Sequence, residues 1–393
     1  MASTHRGSND RHTAADYTDF AHTGPGTLAG RYLRLFWHPI YLARDLATGW
    51  AKPIRIMSED FTLYRGEGGT PHLVAFRCAH RGTQLSTGWV EGDCIRCFYH
   101  GWKYDGSGQC VEQPAEDAGF ASKVRIKSYP CEEYLGLIFA YLGDQAPPLL
   151  PRYPEFEGEG VLQAGTYTRY CNYFNNIENS ADEVHLPFVH RKSGFTDFGL
   201  REWDIPRVRA EETNYGMIQY ATRADNIERI THFLMPNMIY IKVAPEDAQS
   251  DWVDYLAWRV PVDDEHHRSF NLSLAHVTGE AAERYRERQR QREARLAELP
   301  SPNDLAAAVL RGGLRVHDIE DYANIVLVQD TVAQVGQGVI ADREHERLGR
   351  SDATLILLRR LWTRELRALA ERQPLKEWSR RERLAATSGA ASG

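Results

Sequence analysis

Three cysteines and two histidines, all residue types that bind metal ions, lie close together in the first third of the chain. They are Cys78, His80, Cys94, Cys97 and His100. Six cysteines in 393 residues are too few for a disulfide scaffold. In a reducing compartment, clustered cysteines more often bind a metal or take part in catalysis, so these side chains are candidate ligands.

Two possible arrangements use the Cys-x2-Cys pair. A zinc knuckle would take Cys94 and Cys97, but it needs a second ligand pair roughly a dozen residues further along. His100 follows too soon to begin such a pair, and no suitable pair comes after it. A four-cysteine cluster could recruit Cys110, but the two histidines would then have no role. Neither arrangement accounts for the whole group.

A third arrangement divides the group into two similar pairs, Cys78-x-His80 and Cys97-x2-His100. Each pair lies at the end of a β-type run and is followed by Arg-Gly or Gly-Trp, which predicts two hairpin loops. Two such loops could hold a [2Fe–2S] cluster in the Rieske manner, with both cysteines on one iron and both histidines on the other. Cys94 would then take no part. A buried Cys/His cluster without metal is the alternative.

A second dense group of polar side chains lies in the run NNIENSADEVHLPFVH. On a helix, Glu178, Asp182 and His185 would share one face. Pro187 interrupts the helix before His190, and a broken turn could bring both imidazoles to one ion. Two histidines and one carboxylate form the facial triad of non-haem Fe(II) oxygenases. A polar surface helix with an unrelated histidine pair is the alternative.

Taken together, the two groups resemble the oxygenase (α) component of the Rieske non-haem iron ring-hydroxylating oxygenases. The resemblance extends from about Gly30 to Leu369. It implies that Asp182 is not an iron ligand but bridges the two centres, by hydrogen bonds to His185 and to the neighbouring subunit's His100. Such a contact would also orient the iron-binding histidine.

The family's third iron ligand is a distant aspartate on a C-terminal helix. Asp330 is expected to fill this role, because it lies in the apolar helical run YANIVLVQDTVAQVGQG, where a lone carboxylate needs a partner. The VQD motif and the following GQG-x-IADR-x-x-E-x-LGRSD resemble the phthalate-dioxygenase-like branch of the family. An acid on the helix surface that faces solvent is the alternative. The other candidates are Asp318, Asp321 and Asp342.

The resemblance also implies cofactors and partners. Each chain would hold one [2Fe–2S] cluster and one Fe(2+) ion. An NAD(P)H-dependent flavin/iron–sulfur reductase would supply electrons, directly or through a ferredoxin. No G-x-G-x-x-G fingerprint is present, so nicotinamide and flavin are expected on the partner. The branch also implies a head-to-tail homotrimer, whose heterologous interface closes into a ring and suits electron transfer between neighbours.

The implied reaction uses O2 to hydroxylate a small aromatic compound. This compound is expected to be an aromatic acid, and the reaction is either ring hydroxylation or oxidative O- or N-demethylation. Phe174 and Phe188 are expected to line an apolar substrate pocket. Arg223 or Arg229 could bind a substrate carboxylate bidentately, and ordinary surface arginines are the alternative. The second functional hypothesis is a Rieske electron-transfer protein with a non-catalytic binding domain, which would lack the second iron.

Composition and charge limit the class of protein. Hydrophobic residues make up 42% and charged residues 26%, as in ordinary globular proteins. The 47 basic and 54 acidic residues give a net charge of −7, which disfavours nucleic acid or an anionic membrane as a partner. Nothing approaches the roughly 20 apolar residues of a membrane span, and the N-terminus lacks a signal-peptide core. A cytoplasmic protein is expected.

Short β-type runs separated by turn signals predict an all-β domain between Ile54 and Leu142. A catalytic domain with an antiparallel sheet surrounded by helices should follow, so the expected class is α+β. Helices are predicted around 174–186, at 281–299 and from Asp321 to Val335. The expected division is a polar arm at 1–30, a Rieske domain at 31–145, a catalytic domain at 146–375 and a disordered tail at 376–393.

Overall fold

The computed structural model describes residues 16–117, 119–191, 204–224, 228–243 and 253–379. Their secondary-structure elements fall into two parts that follow each other along the chain. The first part has three small antiparallel sheets, and the second has one large antiparallel sheet with helices. The predicted α+β class, with an all-β region before a region of sheet and helices, is confirmed.

The first part consists of short strands. They are β1 (Trp37–Leu42), β2 (Ala51–Ile56), β3 (Glu59–Arg65), β4 (Pro71–Ala75), β5 (Trp89–Glu91), β6 (Cys94–Arg96), β7 (Lys103–Tyr104), β8 (Cys110–Glu112), β9 (Ser128–Tyr129), β10 (Cys131–Tyr134) and β11 (Leu137–Tyr141). The sheet orders are β1-β11-β10, β2-β3-β4-β9 and β5-β6-β7-β8. One loop between β4 and β5 carries Cys78 and His80, and another between β6 and β7 carries Cys97 and His100. A small core that includes both cysteines lies beneath these loops.

Seven strands form the large sheet. They are β12 (Val161–Arg169), β13 (Arg207–Glu212), β14 (Gly216–Thr222), β15 (Glu228–Leu234), β16 (Met238–Val243), β17 (Val253–Pro261) and β18 (His267–Ala275). Their order is β12-β18-β17-β16-β15-β14-β13. Successive side chains of a strand point to opposite faces of its sheet. Trp258 of β17 packs edge-on against Phe139 of β11, with ring centroids 5.6 Å apart, so one face of the large sheet contacts the first part.

Helices cover the other face of the large sheet. The described helices are α1 (Leu28–Leu33), α2 (Tyr173–Ser180), α3 (Leu186–Val189), α4 (Gly279–Ala297), α5 (Pro302–Leu310), α6 (Ile325–Gly336) and α7 (Ala353–Ala370). Asn176 of α2 hydrogen-bonds His267 of β18 at 2.8 Å. Arg169 of β12 donates a 2.6 Å hydrogen bond to Gln334 of α6. The predicted helix at 281–299 is confirmed as α4, and the one predicted from Asp321 begins at Ile325. None of the described helices has the length and apolar character that a membrane crossing requires.

The described ends of the chain pack more closely than the sequence predicts. Phe20 stacks on Phe174 at 4.7 Å, and the Tyr173 hydroxyl donates a 2.8 Å hydrogen bond to the Phe20 carbonyl. Near the other end, Trp378 donates a 2.9 Å hydrogen bond to the Tyr32 hydroxyl. Part of the predicted polar arm and the start of the predicted tail are therefore anchored, because each supplies an aromatic side chain to the protein's core.

Candidate metal centres

The two Cys/His loops have the same backbone hydrogen bonds. The Cys78 N–H donates to the Thr83 carbonyl at 2.9 Å, and the Gly82 N–H returns a 3.0 Å bond to the Cys78 carbonyl. In the second loop, the Cys97 N–H donates to Trp102 at 2.8 Å and the Gly101 N–H donates to Cys97 at 3.0 Å. Each loop thus folds back on its cysteine in the same way, as the repeated sequence pattern predicts.

Glycine is required at the same place in each of these loops. Gly82 has φ +77° and Gly101 has φ +74°, a region that other residues enter only at a cost. Each glycine closes the loop immediately after the segment that carries the histidine. The Arg-Gly and Gly-Trp sequences after the two histidines are therefore turn signals, and they hold the two pairs in equivalent conformations.

The loops bring their metal-binding side chains to one end of the first part. Cys78 and Cys97 are buried, at 3% and 2% exposure. The His80 and His100 rings meet with centroids 4.5 Å apart. His80 also stacks on Trp102, with centroids 4.5 Å apart and an interplanar angle of 7°. These contacts fix the orientation of the His80 ring. The sequence predicted His80 as a ligand, but it did not predict the supporting stack on Trp102.

The chemistry of these side chains fits a [2Fe–2S] cluster. The Nδ1 atom of His80 is buried and has no hydrogen-bond partner among the described residues, as expected for a nitrogen that a metal would occupy. Burial raises the pKa of the Cys78 thiol, and the Tyr104 hydroxyl 3.2 Å from its sulfur opposes this effect. Cys94 lies on β6 and is partly exposed, unlike the two loop cysteines.

A second set of donor atoms meets between α3 and α6. One ligand atom from each of His185, His190 and Asp330 lies within 4.8 Å of the other two. The Nε2 atoms of His190 and His185 are 3.3 Å and 3.7 Å from the same Asp330 carboxylate oxygen. The structure thus brings together the two histidines and the distant aspartate that the sequence selected for one ion.

Hydrogen bonds orient both imidazoles toward the shared point. The His185 Nδ1–H donates to the Asp182 carbonyl, and the His190 Nδ1–H donates to the Gln329 side-chain oxygen at 2.8 Å. With Nδ1 protonated on each ring, each Nε2 carries the free lone pair that a metal requires. Gln329 was missed from the sequence, although it immediately precedes Asp330 in the VQD motif.

The local fold of the second group differs from the predicted continuous helix. Helix α2 ends at Ser180, before Asp182, and α3 begins at Leu186. The Asp182 carboxylate accepts the backbone N–H groups of Val184 at 2.9 Å and of His185 at 3.2 Å. Short acidic side chains compete with helical hydrogen bonds in this way. Asp182 thereby forms the turn that positions His185.

Glu178 has a structural role that is separate from the histidine site. Its carboxylate is 7% exposed and forms ion pairs with Arg343 at 2.8 Å and with Arg359 at 2.6 Å. The predicted common face with Asp182 and His185 does not form, because α2 ends between them. Glu178 instead links α2 to Arg343 and Arg359 as their salt-bridge partner.

Asp330 is held as a carboxylate. Burial alone would raise its pKa, but the imidazole of His190, together with Arg169 and His185, lowers the pKa of Asp330 to about 2. One of its oxygens is buried without a hydrogen-bond partner among the described residues. The other candidate acids lie in different surroundings: Asp318 pairs with Arg315, Asp342 with His345, and Asp321 is exposed.

Comparison with known proteins agrees with these two centres. Residues 36–130 match the family model of the Rieske [2Fe-2S] domain. A curated relative, the 5,5'-dehydrodivanillate O-demethylase oxygenase subunit of Sphingobium sp. strain SYK-6, is 31% identical over 368 residues, which cover 89% of this chain and 79% of the relative. The chain belongs to the Rieske non-haem iron oxygenases.

Other relatives of this Rieske oxygenase also match most of its length. The phenoxybenzoate dioxygenase subunit alpha of Ectopseudomonas oleovorans is 32% identical, with 85% of this chain and 81% of the relative covered. The phthalate 4,5-dioxygenase oxygenase subunit of Pseudomonas putida is 26% identical, with 84% and 81% covered. The predicted resemblance to the phthalate dioxygenases is thus confirmed. The chain is an oxidoreductase of this family and not an electron carrier with a non-catalytic domain.

A solved structure shows the same fold. It is the reduced complex between oxygenase and ferredoxin in carbazole 1,9a-dioxygenase, which superposes with a TM-score of 0.64 at 19% sequence identity. The match covers 88% of this chain and 90% of that chain. Both parts of the Rieske oxygenase, the small sheets and the large sheet with its helices, therefore have a counterpart of known architecture.

The predicted substrate-binding residues lie in different surroundings. Arg223 and Arg229 both face the buried carboxylate of Glu183, at 3.5 Å and 3.6 Å. Arg223 is buried and shares this single carboxylate with Arg229, and its Nε and Nη2 atoms have no hydrogen-bond partner among the described residues. A substrate role for either arginine stays a prediction. Phe174 is fully buried in a cluster with Trp362, so it is a core residue in this structure. Phe188 lies on α3 between the two histidines and is 41% exposed, and its substrate role stays a prediction.

Proposed function

We propose that this Rieske oxygenase binds its [2Fe–2S] cluster through Cys78, His80, Cys97 and His100. Two loops with one backbone conformation present two cysteines from the core and two histidines in mutual contact. This ligand set distinguishes a Rieske cluster from a four-cysteine cluster and raises its reduction potential. Cys94 is not a ligand in this proposal.

The mononuclear centre is proposed to be Fe(2+) held by His185, His190 and Asp330. The convergence of these three side chains within 4.8 Å is the observation that carries the proposal. Two imidazoles and one carboxylate leave open coordination positions on iron. When the iron is bound, these positions would allow it to activate O2. The protein contributes the orientation of both rings, through the Asp182 carbonyl and the Gln329 amide.

Asp182 is proposed to link neighbouring subunits of a head-to-tail homotrimer. Its side chain is 42% exposed, and its second carboxylate oxygen lies 3.9 Å from the His185 ring. The proposed contact of Asp182 in the neighbouring subunit is His100, and the surface near His100 is apolar. Its exposed aromatic residues are Trp89, Phe98 and Tyr99, at 51%, 60% and 55% exposure. Exposed aromatic residues in one patch indicate an interface, and a neighbouring subunit's catalytic domain would cover them.

Electrons are proposed to come from an NAD(P)H-dependent flavin/iron–sulfur reductase, directly or through a ferredoxin. The chain has no dinucleotide fingerprint of its own, so the nicotinamide chemistry is assigned to the partner. The structural neighbour is itself described as a complex of an oxygenase with a ferredoxin, which supports a separate protein as the electron donor.

The substrate is proposed to be a small aromatic acid, and the product is a ring-hydroxylated or O- or N-demethylated compound. The names of the relatives support this class, because they include phenoxybenzoate dioxygenase, phthalate 4,5-dioxygenase and 5,5'-dehydrodivanillate O-demethylase. Demethylation and ring hydroxylation use the same iron ligands, so the position of the substrate beside the iron decides between them.

The proposed function is tested by iron analysis and product analysis on the purified protein. The reconstituted protein should contain about three irons per chain, two in the cluster and one at the facial triad. His185→Ala should reduce this to about two and abolish oxidation, with the cluster spectrum retained. Methoxybenzoates and benzoates, supplied with NADH and a surrogate reductase, should yield formaldehyde or dihydrodiols. Two irons in the unmodified protein, or full activity in the variant, would contradict the proposal.

A further inference from the structure

Two arginines of the large sheet are buried on the face that α6 covers. Arg169 of β12 and Arg259 of β17 are 1% and 5% exposed. Taking an ion out of water costs several kcal/mol unless an opposite charge and hydrogen bonds compensate it. Buried arginines therefore normally lie beside a carboxylate, as Arg223 lies 3.5 Å from Glu183 in this chain.

Arg169 has only neutral hydrogen-bond partners. Its Nε donates to the Thr331 hydroxyl at 3.1 Å, and its Nη1 donates to the Gln334 amide oxygen at 2.6 Å. Its Nη2 is buried without a hydrogen-bond partner among the described residues. These partners hold the guanidinium in place, but they do not neutralise its charge.

Arg259 is even less satisfied. Its Nε and Nη1 atoms are both buried without hydrogen-bond partners in the described part of the chain. Its neighbours include the phenol groups of Tyr167 and Tyr255, of which Tyr255 is a hydrogen-bond partner. Burial would raise the pKa of Tyr167, but Arg259 and Arg169, together with hydrogen bonds from Ser269 and Asn176, lower it. The surroundings of the two guanidinium groups therefore favour a negative charge.

The pair lies close to the proposed iron centre. Thr331, which accepts the Arg169 hydrogen bond, is the residue after Asp330 on α6. Asp330 interacts electrostatically with both arginines. Its carboxylate forms no ion pair with either of them and is directed at the two histidines. A buried positive region without a dedicated anion thus adjoins the site where oxidation would occur.

We infer that Arg169 and Arg259 bind the anionic oxygen group, a carboxylate or a phenolate, of the aromatic substrate. This inference rests on the proposed function and replaces Arg223 and Arg229 as the arginines that recognise the acid. An anion placed between the two guanidinium groups would use donors that are otherwise unsatisfied, and charge-assisted bonds of this kind are among the strongest in proteins. The aromatic ring would extend from there toward the facial triad.

Binding of simple probes to the iron-loaded protein tests the inference without turnover. The probes are benzoate, 4-nitrophenol above its pKa, and neutral benzamide, measured by isothermal titration calorimetry. The unmodified protein should bind at least one of the two anions more tightly than benzamide, and the stronger anion identifies the group that the site takes. Arg259→Gln and Arg169→Gln should each weaken the anion about tenfold to a hundredfold and leave benzamide unchanged.

Two further variants separate a ligand site from a structural one. Arg223→Gln is the matched control, a buried arginine that already has a carboxylate, and it should leave the preference for the anion unchanged. Arg259→Lys keeps the charge and should retain part of that preference. Arg259→Gln removes an uncompensated buried charge, so it should unfold at the same or a higher temperature than the unmodified protein.

The outcomes can be assigned without ambiguity. Equal affinity for the anions and benzamide in the unmodified protein, or an anion preference that survives both glutamine substitutions, would overturn the inference. An anion preference that disappears in Arg223→Gln instead would return the role to the pair at Glu183. Anion binding in a protein that oxidises no aromatic compound would count against the proposed function and leave the binding site in place.

Discussion

The Nδ1 atom of His190 donates a 2.8 Å hydrogen bond to the side-chain oxygen of Gln329, the residue directly before Asp330. Helix α6 therefore supplies both the carboxylate of the proposed facial triad and the acceptor that fixes the orientation of one of its histidines. A shift of this helix would move both groups together. Substitution of Gln329 alone would remove the hydrogen bond to His190 and leave the Asp330 carboxylate in place.

Replacement Gln329→Leu should weaken binding of the mononuclear iron about tenfold to a hundredfold, because the His190 ring loses the acceptor that selects its tautomer. Iron retained after dialysis against a chelator measures the effect, with the cluster spectrum as an internal reference. Gln337→Leu, an exposed position just after the same helix, is the control. Equal iron retention in both variants would show that the hydrogen bond does not support the site.

The two cysteines of the Cys-x2-Cys pair should respond in opposite ways to replacement. Cys97→Ser should abolish the Rieske absorption and electron paramagnetic resonance signals, since a cluster ligand is lost. Cys94→Ser should retain both signals, because this partly exposed strand residue lies outside the proposed ligand set. Loss of the signals in Cys94→Ser, with Cys97→Ser unaffected, would require a different assignment of ligands.

Replacement Asp182→Asn should slow electron delivery about tenfold or more while both metal sites stay filled. The amide can still accept the backbone N–H groups of Val184 and His185, so the turn should persist. The negative charge that is proposed to face a neighbouring subunit would be lost. Single-turnover oxidation of the reduced cluster measures this rate, with the exposed Asp342→Asn as control. An unchanged rate would argue against a bridging role.

His38 should make folding sensitive to acid. It is fully buried, its Nε2–H donates to the Leu33 carbonyl at 2.7 Å, and burial lowers the pKa of His38 from 6.5 to about 4. As the pH falls below 6.5, His38 becomes protonated in the unfolded chain. In the folded chain it stays neutral until the pH is about 4. Stability from this group is therefore complete above 6.5 and is lost as the pH falls, by up to about 3 kcal/mol.

Urea unfolding at pH 7 and near pH 4.5 would measure this loss. In His38→Gln, the decrease in unfolding free energy between the two pH values should be smaller by that amount. The exposed His345→Gln variant should behave like the unmodified protein. An equal decrease in all three proteins would assign the acid sensitivity to other groups.

Local sequence patterns predicted the two similar Cys/His loops, because each loop is closed by contacts within a few residues. Gly82 and Gly101 are turn signals in the sequence, and in the structure both lie in turns with positive φ angles. The sequence predicted that Pro187 would interrupt the helix, but the helix already ends at Ser180, with Ala181 as its C-cap. The Asp182 side chain ends the helix earlier by accepting backbone N–H groups.

The pair of arginines proposed to bind the acid could not be predicted from the sequence. Arg223 and Arg229 lie around a strand-like run near the iron-binding segment, and in the fold both lie beside the carboxylate of Glu183, at 3.5 Å and 3.6 Å. Arg169 and Arg259 lie on strands that are far apart in the sequence, at Val161–Arg169 and Val253–Pro261. Only the sheet order β12-β18-β17 brings those strands near each other, and strand order depends on tertiary pairing that a local pattern does not encode.

Two adjacent residues of β17, Trp258 and Arg259, lie on opposite faces of the large sheet. Trp258 packs against Phe139 and Tyr153 on the side of the small sheets, and Arg259 lies on the helix side near Asp330. Inserting or deleting one residue in this strand would exchange the two faces. A guanidinium would enter the packing between the two parts, and an indole would enter the proposed anion site. Adaptation of this enzyme to new substrates should therefore proceed by exchanging side chains along β17, with changes in chain length restricted to the loops.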